Sequence, residues 1–159
     1  IGVLAGTQIG LVGALLGALS HAIFKVILFG AVGVAEQGRG KPITLSERGL
    51  AARYPLSGAA FILAALGFLG VPPLFGFLGR WRLYLTGLQI SGLALGVAMA
   101  AATALALFYY VRAIHLVWLG EPSAEKSSKE PKQAGAVLIG LVILALILGL
   151  FPSLLIGGI

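Results

Sequence analysis

The chain has 159 residues, of which 59% are hydrophobic and only 10% charged, with a mean hydropathy of +1.06. Soluble domains carry about 25% charged residues and disorder needs low hydrophobicity with high charge, so both classes are excluded. With no cysteine and a net charge of +6, disulfides, thiolate metal sites and cysteine nucleophiles are ruled out, and lipid headgroups account for the basic balance better than nucleic acid.

The charges fall in blocks. Residues 1–35 carry one, Lys25; residues 54–79 and 133–159 carry none. Between them, residues 36–53 and 121–132 carry six each. Apolar spans separated by hydrophilic loops produce this pattern. It predicts an all-α, polytopic transmembrane bundle of about five helices, with 1–159 as a single transmembrane domain and hydrophilic loops at 36–54 and 120–133. The chain opens Ile1-Gly2-Val3, without a leader pattern, and is expected to be the C-terminal piece of a larger protein.

In chain order, residues 1–6 read as the tail of a preceding helix and Gly6-Thr7-Gln8 as a tight turn. Helices follow at about 10–35, 55–70, 73–90, 92–119 and 134–151. Gly70-Val71-Pro72-Pro73 interrupts the second and third, since proline stops or kinks a helix. Sixteen residues reach only ~24 Å, short of a ~30 Å core. A single kinked span over 55–79 is therefore the alternative. Gly92, Gly96, Ala100 and Ala104 form a small-residue row suited to helix packing. The 121–132 segment reads as a solvated, flexible loop. With five passes the two loops face opposite sides, and four Lys/Arg against three leave the orientation open.

The chemistry concentrates at His21 and Lys25. They are spaced i,i+4 and share a helix face, in one row with Gly13 and Gly17. For a span from Gly10 to Val34, Lys25 lies ~13 Å deep, farther than a snorkelling stem reaches. A desolvated amine takes up and releases protons more readily, and a neutral imidazole passes them on. An intramembrane ionisable pair is by default a functional site; the competing reading is a lysine held structurally by backbone carbonyls. No acid lies in any apolar stretch. On residue types alone, Arg80-Trp81-Arg82 reads as an interfacial anchor. Arg112 and His115, near a helix end with Tyr109, Tyr110 and Trp118, read the same way. A bis-histidine haem site from His21 and His115 is a remote alternative.

Three stretches resemble the antiporter-like membrane subunits of respiratory complex I, which are similar to Mrp antiporter and membrane-bound hydrogenase subunits. They are His21-Ala22-Ile23-Phe24-Lys25-Val26-Ile27-Leu28-Phe29, Gly70-Val71-Pro72-Pro73-Leu74-Phe75-Gly76-Phe77-Leu78-Gly79-Arg80 and Phe108-Tyr109-Tyr110-Val111-Arg112. Leu45-Ser46-Glu47-Arg48-Gly49-Leu50 sits where the family often has a Leu-x-Gly-Leu loop. The last span points to the N-type subunit. The resemblance implies inverted five-helix repeats, of which this chain would be the last five helices. It makes Lys25 a central proton carrier and His21 its neighbour. It puts Arg80 where the family has a lysine or glutamate, so a permanent cation replaces a titratable group.

The expected function is proton translocation in the membrane arm of a complex I-like NADH:quinone oxidoreductase, with redox catalysis in other subunits. Lys25 and His21 would form the relay, with Arg80 tuning it electrostatically, and no cofactor or metal is expected in this chain. The expected partners are other membrane-arm subunits and the bilayer of a bacterial cytoplasmic or organellar inner membrane. The alternatives are a Na⁺/H⁺ antiporter or hydrogenase subunit, and a structural scaffold that conducts nothing.

Overall fold

The computed structural model describes residues 1–121 and 129–157. The regular structure among the described residues is all helical: α1 (Gln8–Arg39), α2 (Leu50–Arg53), α3 (Pro55–Leu69), α4 (Gly76–Ala113), α5 (Lys132–Leu150) and α6 (Ser153–Ile156). A π-helical turn, Ile114–Trp118, extends α4. Gln8–Arg39, Gly76–Trp118 and Lys132–Leu150 are each long and apolar enough to cross a membrane. Most of the segment predicted as a flexible loop, residues 122–128, lies outside the described residues.

Local chemistry explains the bounds. Thr7 Oγ1 accepts the Gly10 N–H at 3.1 Å and caps α1. Gly40 ends α1 in the left-handed region, φ 69°. The helix thus runs through Arg39, four residues into the predicted loop. The rest of that loop folds over the helix end. Glu36 accepts the Ile43 N–H at 2.8 Å, and Glu47 pairs with Arg39 at 2.5 Å.

α4 is two helices in one. Gly92 sits at φ 58°, ψ −144°, a conformation that glycine alone adopts readily. Arg80 donates to Thr103, 23 residues on, at 2.9 Å. In a straight helix that separation would be ~35 Å. The arms 76–91 and 93–113 therefore fold back on each other. The predicted packing row is divided among three jobs. Gly92 makes the turn, Gly96 admits Leu88, and Ala100 and Ala104 are exposed.

The break at 70–75 joins two halves of one pass. A Cβ at Gly38 would overlap the Tyr54 ring, and one at Gly67 would overlap the Phe24 ring. Further along, Gly79 packs on Gly17, Leu83 on Gly13 and Thr86 on Gly10. Rising numbers from 54 to 86 thus meet falling numbers in α1. Two helices exist, as expected, yet together they make one discontinuous span beside α1. The second arm of α4 returns along it, with Phe68 beside Tyr110 and Phe61 beside Trp118. α5 closes the bundle, with Leu138 against Gly30 and the Phe75 N–H donating to the Ala145 carbonyl. Alanines 31, 35, 60, 64, 65 and 145 are fully buried, and side chains that small let helix backbones approach closely.

This arrangement overturns the expected placement of the loops. Four passes, not five, put residues 36–53 and the ends of the 121–132 segment on the same side. Arg48 packs against Gly120. Glu130 accepts the N–H groups of Leu56 and Ser57 at 3.0 and 2.7 Å, and the Ser57 hydroxyl at 2.5 Å. A carboxylate from more than 70 residues away thereby caps α3, where orphan donors and the helix dipole favour an anion. Glu130→Ala is expected to destabilise the bundle by about 1 kcal/mol, read as a lowered thermal midpoint, with Glu130→Gln recovering part of it.

Candidate functional site

Lys25 lies near the middle of α1, 14 residues before Arg39 and 17 after Gln8. That is ~21 Å along the helix from Arg39. His21 is one turn nearer the N-terminus. The row Gly13–Gly17 packs on the first arm of α4. Past its edge His21 is exposed and Lys25 half-buried.

A cavity of about 380 Å³ opens where α3 stops and α4 begins. Its walls include Gly17, His21 and Phe24 from α1, Phe68 from α3, and Arg80 and Met99 from α4. The break leaves the last carbonyls of α3 without helical partners. The N–H groups of Gly70 and Val71 take those of Gly67 and Leu66, both at 3.0 Å. Arg80 takes the next, its Nη2 donating to the Phe68 carbonyl at 2.8 Å. A cation at a helix C-terminus is favourable, and a charge-assisted bond is stronger than a neutral one. Arg80 Nη1 donates to Thr103 Oγ1, which is 2.7 Å from the Tyr84 hydroxyl. Tyr84 and Thr103 both also bond the Met99 carbonyl at 3.0 Å. The anchor reading of Arg80 is therefore corrected. Its guanidinium turns inward and is held at the break, while Trp81 alone of that trio is exposed.

Lys25 does not line this cavity. Its ammonium sits 5.4 Å from the ring centroids of both Phe29 and Phe68, within cation–π range. The Phe68 ring also lies 4.8 Å from the His21 ring. Phe68 is thus the common neighbour, with its ring against His21 and Lys25 and its carbonyl bonded to Arg80. Among the described residues no carboxylate pairs with Lys25. No group of three or more His, Cys, Asp or Glu suited to a metal ion occurs among them either. Arg112 and His115 line a separate groove. His21 and His115 therefore face different cavities, and nothing described brings them together as axial ligands.

Sequence reasoning missed Phe68, Tyr84 and Thr103. Tyr84 and Thr103 carry a signal, since hydroxyls in apolar spans need partners. Phe68 carries none, because one phenylalanine in an apolar helix looks like any other.

A family model described as NADH:quinone oxidoreductase/Mrp antiporter, transmembrane, matches residues 1–106. NADH-quinone oxidoreductase subunit N from Desulforudis audaxviator is 30% identical across the whole of this chain, which covers 34% of that protein. The subunit N from Saccharopolyspora erythraea is 30% identical over 97% of this chain and 30% of its own length. The chain thus spans about a third of the length of these curated relatives. A chain of the Mrp complex from Dietzia sp. DQ12-45-1b superposes with a TM-score of 0.86 over 97% of this chain and 37% of its own; at 23% identity the likeness is one of fold. A chain of respiratory complex I from Thermus thermophilus superposes with a TM-score of 0.61 at 27% identity, over 85% of this chain and 33% of its own. The broken span, the helical hairpin and the apolar passes are those of this fold, and the chain belongs to the NADH:quinone oxidoreductase/Mrp antiporter family as an antiporter-like, multi-pass membrane subunit.

Proposed function

We propose that the chain moves protons across an energy-conserving membrane, as part of the membrane arm of a complex I-like NADH:quinone oxidoreductase. The observation that carries this reading is the grouping of three basic side chains about one helix break. His21 and Arg80 border the cavity, and Lys25 lies one turn beyond, across Phe68. Water in such a cavity would bring protons to His21. A neutral imidazole accepts a proton at one nitrogen and releases one from the other, and the Lys25 amine is the next acceptor along the face. The guanidinium of an arginine is a permanent cation in proteins. Arg80 therefore relays no proton, and its fixed charge opposes a second cation nearby and favours onward release. A carboxylate partner for Lys25 would come from outside these residues.

The proposal also gives an orientation. Arg39, Lys41, Arg48, Arg53, Lys129 and Lys132 all lie in or beside the loops at one end of the bundle, and the Gly92 end has no charged residue within nine positions. By the positive-inside bias, the loop end faces the cytoplasm or its organellar equivalent. The names of the subunit N relatives support the complex I assignment over a sodium-exchanging one. Proton uptake by sealed vesicles of the native complex, driven by quinone reduction, tests the coupling ion. The initial rate is expected to be unchanged when sodium is removed. A loss of tenfold or more on sodium removal would replace this reading with the Na⁺/H⁺ antiporter one.

A further inference from the structure

The groove lined by Phe108, Val111, Arg112, His115 and Leu116 takes no part in the proposed relay. It is open and has a volume of about 350 Å³. From the Gly92 turn to Arg112 is 20 residues, ~30 Å of helix, which matches the ~30 Å hydrocarbon core. Arg112 and His115 are thus at headgroup level on the loop side, with Phe108 and Val111 on the acyl side. Both Arg112 and His115 are exposed. Among the described residues neither has a hydrogen-bond or ion-pair partner, whereas Arg39, Arg48, Arg80 and Arg82 all do. The helix is locally π-wound over Ile114–Trp118, so His115 lies within the wound segment and Arg112 just before it. π-turns are rare and occur often at functional sites. The buried Trp118 packs on Phe61 and holds the far end of the turn in place.

We infer that this groove binds the headgroup of an anionic phospholipid, with its phosphate on Arg112 and His115 and an acyl chain along Phe108, Val111 and Leu116. The occupant follows from depth and charge together. An unpaired guanidinium at the membrane–water boundary, above an apolar trough, matches a phosphate that carries a hydrocarbon tail. Basic pockets on the cytoplasmic side of membrane helices bind such headgroups.

The test is native mass spectrometry of the full-length protein, delipidated and titrated with phosphatidylglycerol or phosphatidylcholine. Phosphatidylglycerol is expected to bind more tightly than phosphatidylcholine. Arg112→Gln should weaken its binding by about fivefold, the equivalent of one basic contact near the surface, and leave phosphatidylcholine binding unchanged. Arg112→Lys should keep most of the affinity. Lys132→Gln, at the same end but outside the groove, should change nothing. Because Arg112 has no partner among the described residues, these substitutions break no described bond. Equal phosphatidylglycerol affinity in wild type and Arg112→Gln would overturn the inference. So would displacement of the lipid by millimolar inorganic phosphate, which would make the groove a site for free anions. Neither outcome depends on whether the chain moves protons.

Discussion

Gly76→Ala is expected to unseat the broken span. A Cβ at this position would overlap the carbonyl oxygen of Gly67 and crowd the Phe24 ring. The obstacle is backbone, which cannot swing away as a flexible side chain can. Gly79 cannot yield on the other side, because a Cβ there would meet the backbone of Gly17 and Leu16. The α4 N-terminus would have to move off α1 as a unit. Overpacking a tight interior costs about 1–3 kcal/mol and sometimes more, and a backbone contact belongs at the upper end. The thermal midpoint of the full-length protein should fall by several degrees. The cavity should also change shape, because Arg80 is one turn from the displaced residue. A substitution with no effect on stability would mean that the two half-helices do not meet as described.

Much of this fold was legible. The blocks of charge located the ends of the first and last passes, and the Gly-Pro segment located the break. Helix ends came within a few residues, although the first helix runs four residues past its expected end to the stop at Gly40. What was not legible was how the pieces lie together. The short length of 55–70 and the Gly-Pro break allow one kinked span as well as two separate ones, and only the succession of contacts along α1 decides between them. The error in loop placement followed from counting them as two. Glu130 looked like one more charge in a polar loop, since its role depends on the N-terminus of α3, more than 70 residues away. The site was half legible. His21 and Lys25 stood out because ionisable groups are costly in an apolar helix. Arg80 was read as an anchor because its neighbours Trp81 and Arg82 suit an interface. Its true partners, the Phe68 carbonyl and Thr103, lie on other segments and are set by the break and by the turn at Gly92.

On the proposed function, Lys25→Ala is expected to have the largest functional effect. The substitution removes the one ammonium near the middle of α1 and, in this structure, breaks only its aromatic contacts with Phe29 and Phe68. Cation–π contacts are worth about 0.5–2 kcal/mol from exposed to desolvated sites, so the fold should survive. The proposed relay would not, because His21 would then have no acceptor on its face and Arg80 cannot serve as one. Lys25→Arg should fail too, since it keeps the charge and loses the exchangeable proton. A scaffold lysine would show the opposite pattern, with Arg rescuing what Ala loses.

The decisive measurement is the number of protons moved per electron pair, in sealed vesicles of the native complex carrying Lys25→Ala. The account predicts an assembled complex whose proton yield per electron pair falls well below that of the wild type, with Lys25→Arg equally impaired. An assembled complex with an unchanged proton yield would contradict it and leave Lys25 a structural residue.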